Sequence, residues 1–248
     1  MPDSLLRVRA LTKSFGALRA TDGIDFDVAE GETHAVIGPN GAGKTTFISQ
    51  LAGNLRPDSG SVRFAGADIT NLSAPRRARM GLARSFQITS VYPEFSALDN
   101  VMLSVLARSG RTGFWRTARG DPALVEPAEH VLEEVGLLPR KNILAANLAH
   151  GEQRQLEVAM ALATSPRLLL LDEPMAGMGT DESQRMIALL QKLKQTKTII
   201  LVEHDMDAVF RLADRISVLV YGRVIATDVP GKIKMNEEVR KAYLGEEA

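Results

Sequence analysis

The segment 38–46 reads Gly-Pro-Asn-Gly-Ala-Gly-Lys-Thr-Thr, and these residue types at this spacing suit the binding of phosphate. The glycines permit backbone angles at which consecutive N–H groups point at one anion, and a following helix adds its positive end. Lys44 supplies a charge for the terminal phosphates, and the Thr45 hydroxyl suits a Mg²⁺ ligand. A tight turn that binds nothing would not need this composition. We predict a phosphate site formed by Gly38, Pro39, Asn40, Gly41, Ala42, Gly43, Lys44, Thr45 and Thr46.

A second group of reactive residues stands at 168–174, where four leucines are followed by Asp172, Glu173 and a proline. A buried strand that ends in acids carries them to the carboxyl edge of a sheet, where α/β proteins bind ligands. Asp172 therefore suits a Mg²⁺ ligand, and Glu173 suits a general base or a residue that positions water. The alternative is a solvated strand end, which the presence of the phosphate loop makes the weaker interpretation.

Three further side chains are candidates for contact with a nucleotide, and each has a plainer alternative. Gln87 stands where the core gives way to a helical block, so its amide could reach a metal ion or water, or it could be a surface glutamine. His204 ends the strand predicted at 199–203 and could hydrogen-bond a terminal phosphate, although a lone histidine is more often structural. Phe15 is flanked by polar residues and glycine, and it could stack on a base or be buried in the core.

The elements around these residues are predicted from their periodicity. Residues 33–37 before the loop form an apolar, β-branched strand, and residues after 46 can open a helix, which is the context that a phosphate loop requires. Helical spacing dominates from about 74 to 164, and strand–helix–strand rhythm returns at 168–202. We therefore expect a parallel sheet with an inserted helical block. Early alternating segments favour an antiparallel sheet beside it, at 6–11, 24–28 and 61–65.

The composition limits the possible functions of this 248-residue chain, which is long enough for one large α/β domain or two small ones. Lys plus Arg equals Asp plus Glu at 30 each, which argues against a broad nucleic-acid-binding surface. Cysteine is absent, which excludes disulfides and thiolate metal sites. We expect no signal peptide, because residues 1–10 contain Asp3, Arg7 and Arg9 and no apolar region. We expect a soluble protein, because the apolar runs at 168–171, 198–202 and 216–220 are far shorter than the ~20 residues needed to cross a bilayer.

In the order of its motifs the chain resembles the nucleotide-binding subunits of ABC transporters along nearly its whole length. Its segment 148–154, Leu-Ala-His-Gly-Glu-Gln-Arg, is similar to the signature sequence of that family and lies between the phosphate loop and Asp172. The resemblance implies a P-loop NTPase ABC cassette, an α/β fold whose mixed or parallel sheet core carries an antiparallel β subdomain and an inserted α-helical subdomain. It divides the chain into a core with the β subdomain, a helical subdomain and a helical tail, at about 1–73 with 165–230, 74–164 and 231–248.

A closer resemblance is to the ATPases of uptake systems for hydrophobic, typically branched-chain, amino acids; urea, amide and aromatic-acid importers have similar ATPases. It rests on short segments at 38–40, 83–87, 172–178, 203–206 and 242–246. It implies a bacterial or archaeal protein bound peripherally at the cytoplasmic face of the inner membrane. Its partners would be a second ATPase subunit (identical or related), two membrane permeases and, indirectly, an extracytoplasmic solute-binding protein, with no nucleic acid.

The resemblance also implies that two subunits sandwich ATP, with the phosphate loop of one facing the signature of the other. The residues implied in hydrolysis are Lys44, Gln87, Glu173 and His204. Those implied in holding Mg²⁺ are Thr45, Gln87 and Asp172. The base would meet Phe15, and the partner's ATP would meet Ala149, His150, Gly151 and Glu152.

Two departures from the family pattern bear on these roles. Ala149 and His150 replace the usual Ser and first Gly of the signature, so Ala149 has no hydroxyl for a phosphate, whereas the helix N-terminus and the Gly151 N–H could still bind one. Gly179 stands where the wider family usually has an aspartate, so it is given no catalytic role.

Other interpretations stay open. A permease helix is expected to contact residues within 84–108, near Gln87, Tyr92, Phe95 and Leu98, although ordinary packing would explain these residues equally. The chain could instead be a soluble ABC-type ATPase that acts on ribosomes or DNA, but such proteins usually carry two cassettes or long coiled-coil insertions. A P-loop kinase for a small molecule would lack the signature and a histidine after the acidic strand.

Overall fold

The computed structural model describes residues 4–85, 91–109 and 120–244, so the predictions for Gln87 lie outside the described residues. The strands are β1 (Ser4–Phe15), β2 (Leu18–Ala29), β3 (Thr33–Ile37), β4 (Ser59–Phe64), β5 (Ala67–Asp68), β6 (Leu82–Arg84), β7 (Leu168–Asp172), β8 (Thr198–Val202), β9 (Arg215–Val220) and β10 (Arg223–Asp228). The helices are α1 (Lys44–Ala52), α2 (Ala74–Arg79), α3 (Ala97–Ser109), α4 (Pro122–Glu134), α5 (His150–Ala163), α6 (Thr180–Leu193), α7 (Met206–Leu212), α8 (Pro230–Met235) and α9 (Glu237–Leu244). Among these helices none is long and apolar enough to cross a bilayer.

Four strands form the predicted antiparallel sheet, in the order β2-β1-β4-β5. Side chains of a strand alternate between the two faces, and Val8 of β1 pairs with Phe26 of β2 and with Val62 of β4, so all three turn to one side. On that side they are buried in a core that includes Phe47 of α1. The antiparallel sheet therefore packs beside the helix that follows the phosphate loop.

The other six strands form a mixed sheet in the order β10-β9-β3-β8-β7-β6. Its neighbours are parallel except for β10, which pairs antiparallel with β9. All residues of β3, β7 and β8 are buried, as expected for parallel strands with both faces covered. The predicted parallel sheet is confirmed, and its five parallel strands end at one shared edge.

Helices α3, α4 and α5 pack on one another around a core that includes Met102, Leu132 and Leu156. They lie within the range 74–164 that was predicted to be helical. Strand β6 lies in that range as well, but it pairs with β7 in the mixed sheet. The core sheet thus continues as far as Arg84, while the division of the chain into subdomains stays a prediction.

A chain of polar side chains lies within the mixed sheet. The His34 ring places Nδ1 2.8 Å from Glu32 Oε1 and Nε2 2.8 Å from Ser217 Oγ, which lies 2.7 Å from Thr227 Oγ1. His34 is fully buried, and its ring packs against Phe26. Burial lowers the pKa of His34 by more than the carboxylate of Glu32 raises it. The neutral ring therefore donates from Nδ1 to Glu32 and accepts from Ser217.

The protein is expected to lose stability as the pH falls from about 7.5 to about 5.5. An unfolded histidine takes up a proton near pH ~6.5, whereas buried His34 does so only at lower pH, so acid favours the unfolded state over this window. His34→Gln removes that proton uptake and should flatten the pH dependence of the free energy of unfolding. Urea titrations at both pH values measure it, with the exposed His130→Gln as the control. Equal pH dependence in His34→Gln and wild type would contradict the assignment.

Candidate nucleotide site

The phosphate loop connects the end of β3 to the start of α1. Two of its glycines are required by close neighbours: a Cβ on Gly43, where φ is +103°, would collide with the carbonyl oxygen of Ala20. A Cβ on Gly38 would collide with the carbonyl oxygen of Leu219. The loop is therefore held between β2 and the end of β9, where only glycine fits at these two positions.

Helix α1 begins at Lys44, so the N–H groups of its first turn lie at the loop. The Lys44 ammonium donates to the carbonyl oxygens of Gly38 over 2.6 Å and Pro39 over 2.9 Å. Thr45 is exposed and Thr46 is half-buried. A lysine charge, a threonine hydroxyl and the N-terminus of a helix thus lie together, which is an arrangement that attracts phosphate.

The remaining candidates follow strands that neighbour β3. The sheet places β3 beside β8, and β8 beside β7. Asp172 at the end of β7 pairs with Val202 at the end of β8, so Glu173 and His204 leave the sheet at one edge. Strand β3 reaches the same edge, since Val36 also pairs with Val202. The structure therefore brings the phosphate loop, the two acids and His204 to one edge of the sheet.

Asp172 is enclosed, with 3% of its surface exposed, and is held by Arg84 at the end of β6. The Arg84 guanidinium donates to Asp172 Oδ2 over 2.8 Å and to Ser49 Oγ on α1 over 3.2 Å. The other oxygen of Asp172, Oδ1, is buried and has no hydrogen-bond partner among the described residues. Thr45 lies one helical turn before Ser49, on the same face of α1. A buried carboxylate oxygen of this kind suits a hard cation such as Mg²⁺, which prefers oxygen ligands.

Glu173 has a backbone conformation that few non-glycine residues adopt, with φ at +50°. Its N–H still donates to the Val202 carbonyl over 2.9 Å, so the chain turns sharply while attached to β8. The side chain of Glu173 is half-buried, whereas that of Asp172 is enclosed. Strained backbone of this kind clusters at functional sites, and this turn gives two adjacent acids different surroundings.

Glu203 links the two loops that carry Glu173 and His204. Its Oε1 accepts from the Met175 N–H over 3.0 Å, and its Oε2 accepts from the His204 N–H over 3.1 Å. Burial raises the pKa of Glu203, against the lowering effect of these N–H groups. The side chain of His204 itself is 68% exposed, so it is open to a ligand at the sheet edge. A carboxylate at the end of an apolar strand is the sequence signal that could have identified Glu203.

Phe15 stands at the hairpin between β1 and β2 and is 51% exposed, so the alternative that it is buried in the core is wrong. Lys13 Nζ lies 5.8 Å from the centre of its ring. An exposed ring on a hairpin is available for stacking, and its contact with a base stays a prediction.

The signature segment (148–154) forms the start of α5, with Ala149 at the N-cap. Ala149 has no side-chain acceptor, but its N–H donates to Glu152 Oε2 over 3.0 Å, and Arg140 holds Glu152 through a 3.0 Å ion pair. A Cβ on Gly177 would lie 3.2 Å from the His150 ring, and the Gly151 N–H donates to a carboxylate of α6. Within one chain the signature therefore adjoins the loop that follows Glu173.

The predicted permease contact lies partly on the surface. Tyr92 is 54% exposed, and its ring centre lies 5.6 Å from that of Phe95.

A separate groove of about 280 Å³ opens between the mixed sheet and the helical block. Mostly small and apolar side chains line it, and its lining includes Ala52, Ala78, Arg84, Ser104 and Met160. Since Arg84 also binds Asp172, one side chain connects this groove with the acidic strand end.

Comparisons with known proteins agree with the geometry. Residues 21–176 match the ABC transporter family, and residues 223–248 match the family described as branched-chain amino acid ATP-binding cassette transporter. The chain is 39% identical to the high-affinity branched-chain amino acid transport ATP-binding protein BraF of Pseudomonas aeruginosa, over 99% of this chain and 100% of that protein. It is 35% identical to the corresponding protein LivG of Escherichia coli K12, over 99% and 100% of the two chains.

A solved structure of an ATP-binding cassette of an ABC transporter in its ADP conformation has a similar fold. The TM-score is 0.85 at 28% identity, and the match covers 98% of this chain and 99% of that one.

Proposed function

This chain belongs to the ABC transporter family of ATP-binding proteins, and on that basis we propose that it powers an importer of branched-chain amino acids. The family match at residues 223–248 is the observation that supports branched-chain amino acids as the solute, because phosphate chemistry alone does not distinguish one importer from another. The full-length similarity to BraF and LivG, whose names state branched-chain amino acid transport, supports the same choice. The protein is an ATPase, and the following steps assign its residues.

We propose that the phosphate loop grips the triphosphate of ATP. The N–H groups at the start of α1 point at the phosphates, Lys44 contributes a positive charge, and Phe15 stacks on the base. The support is geometric. Gly38 and Gly43 let the loop pack tightly against neighbouring backbone, and the Lys44 ammonium donates hydrogen bonds to two carbonyl oxygens of the loop. A bound phosphate would accept hydrogen bonds from the Lys44 ammonium and from the N–H groups at the start of α1.

Asp172 and Thr45 would hold Mg²⁺, with Gln87 as a further ligand outside the described residues. The buried and unbonded Oδ1 of Asp172 supports this assignment. When bound, the ion offsets the charge that develops on the transferring phosphoryl group. Glu173 orients or deprotonates water, and His204 hydrogen-bonds the terminal phosphate from the neighbouring strand end.

We infer that a second ATPase subunit completes the site, as the family resemblance implies. The phosphate loop of one subunit would face Ala149, His150, Gly151 and Glu152 of the other. Ala149 lacks a hydroxyl, so the phosphate contact falls on the backbone N–H of Gly151. Closure on ATP and release after hydrolysis would then move the helical block.

The groove between the sheet and the helical block is the proposed docking surface for a membrane permease. Its apolar lining suits a helix end, and its wall includes Arg84, which contacts Asp172. A permease helix seated there would bear on the ATP site through one side chain. Such docking would also place the protein at the cytoplasmic face of the membrane.

Reconstitution tests the proposed function. The chain is purified with its permease subunits and partner ATPase, placed in proteoliposomes, and supplied with the solute-binding protein. Leucine, isoleucine or valine is expected to stimulate ATP hydrolysis and to be taken up with it. Urea and an aromatic acid serve as competing solutes, and stimulation by one of these alone would overturn the choice of solute. Co-purification with ribosomes or DNA instead of membrane subunits would favour the soluble ATPase.

A further inference from the structure

The carboxylate of Glu182 joins the N-termini of two helices. Glu182 lies in the first turn of α6, and its Oε2 accepts from the Gly179 N–H over 3.3 Å, which caps its own helix. Its Oε1 accepts from the Gly151 N–H of α5 over 3.1 Å. Gly151 precedes Glu182 by 31 positions, so tertiary packing alone creates this contact.

Gly151 is suited to receive this carboxylate because it has no side chain. A Cβ at residue 151 would lie 2.7 Å from Glu182 Oε1, so a larger residue would displace it. The His150 ring, at the start of α5, also packs over Gly177 in the loop between Glu173 and α6. The start of α5 is therefore attached to the start of α6 and to the loop that follows Glu173.

The Gly151 N–H is also the group to which the proposed function assigns the terminal phosphate of the partner's ATP. An anion is favoured at a helix N-terminus, and a carboxylate satisfies the same N–H and the same helix dipole as a phosphate. The two anions cannot share one N–H, since both are negatively charged and the group donates one hydrogen bond.

We propose that Glu182 is an internal competitor for the phosphate-binding N–H of the signature segment. Its carboxylate must leave Gly151 before the signature can engage the nucleotide held by the partner subunit. Glu182 therefore sets the ATP concentration at which the two subunits close. This inference rests on the proposed two-subunit site and adds a residue that regulates it.

The test compares Glu182→Gln with Asp181→Asn in the assembled transporter complex. Both variants remove one negative charge from the first turn of α6, but Asp181 is exposed and makes no described contact with Gly151. Glu182→Gln is expected to lower the KM for ATP by about two- to fivefold, the usual range for a charge at a helix terminus, with kcat little changed. Asp181→Asn should leave both constants unchanged.

A second variant and a second measurement keep the result interpretable. Glu182→Ala removes the acceptor as well as the charge and should lower KM at least as far, provided that thermal unfolding shows a folded chain. ATP binding to the isolated chain should be unchanged in every variant, because its own phosphate loop is untouched. An unchanged or raised KM in both Glu182 variants, or an equal shift in Asp181→Asn, would overturn the inference. Failure of the two-subunit site itself would appear differently, as full-rate hydrolysis by single wild-type chains.

Discussion

Lys44→Ala is expected to weaken the binding of Mg-ATP by about 10- to 100-fold, the range for loss of a charged hydrogen-bond donor. The ammonium of Lys44 lies on the loop carbonyls of Gly38 and Pro39, within reach of any phosphate that the loop accepts. Its removal takes away the one positive side chain in the segment 38–46. Isothermal titration calorimetry on the purified chain measures the dissociation constant with and without Mg²⁺.

The matched control is Lys232→Ala. Lys232 is exposed on α8 and pairs with Asp228 over 3.3 Å, so its loss removes the same charge far along the chain from the loop. Its dissociation constant should equal that of wild type. A Lys44→Ala chain that binds Mg-ATP with unchanged affinity, and unfolds at the wild-type temperature, would refute the assignment.

The sheet edge that carries the phosphate loop, the two acids and His204 could largely be predicted from the sequence, because each of its motifs is a continuous stretch of residues. The phosphate loop follows an apolar strand and precedes a helix, which are all local patterns. Asp172 ends one apolar strand and His204 closely follows another, and parallel strands end at one edge of a sheet. The pairing of Asp172 with Val202 then brings the acids and the histidine together without further information.

The supporting contacts could not be predicted, because they join residues that are far apart in sequence. Arg84 contacts Asp172 across 88 positions, and Glu182 contacts Gly151 across 31. An arginine at a strand end and a glutamate in the first turn of a helix are ordinary in themselves. Their partners depend on how the helical block and α6 pack against the sheet. The exposure of Phe15 also depends on packing, since flanking residues suited burial and stacking equally.

The different surroundings of Asp172 and Glu173 give them different consequences when changed. Asp172 is enclosed and tied to Arg84 and, through it, to α1, so its replacement would disturb both the proposed metal binding and the packing of the strand end. Glu173 is half-buried in a left-handed turn, so its carboxylate can be replaced without disturbing the packing around it. Glutamine keeps the size and the backbone demands of glutamate, so it removes only the basic oxygen.

Glu173→Gln is therefore expected to lower kcat for ATP hydrolysis by about 100-fold or more, the usual range for loss of a general base. The affinity for Mg-ATP should stay close to that of wild type, because the phosphate loop and Asp172 are unchanged. Phosphate release from the assembled complex measures kcat, and calorimetry on the isolated chain measures affinity. The variant complex should also retain ATP and remain closed, since release follows hydrolysis.

Glu237→Gln in α9 is a control with the same chemical change in a helix of the tail. It should hydrolyse ATP at the wild-type rate. Glu173 and Glu203 are both glutamates near the sheet edge. Glu203→Gln therefore distinguishes the effect of losing the general base from the effect of losing a residue that holds the neighbouring loops. Glu203 holds the Met175 and His204 N–H groups, so its loss should move kcat less than the loss of Glu173. Wild-type turnover by Glu173→Gln, or a larger loss in Glu203→Gln, would transfer the role of general base away from Glu173.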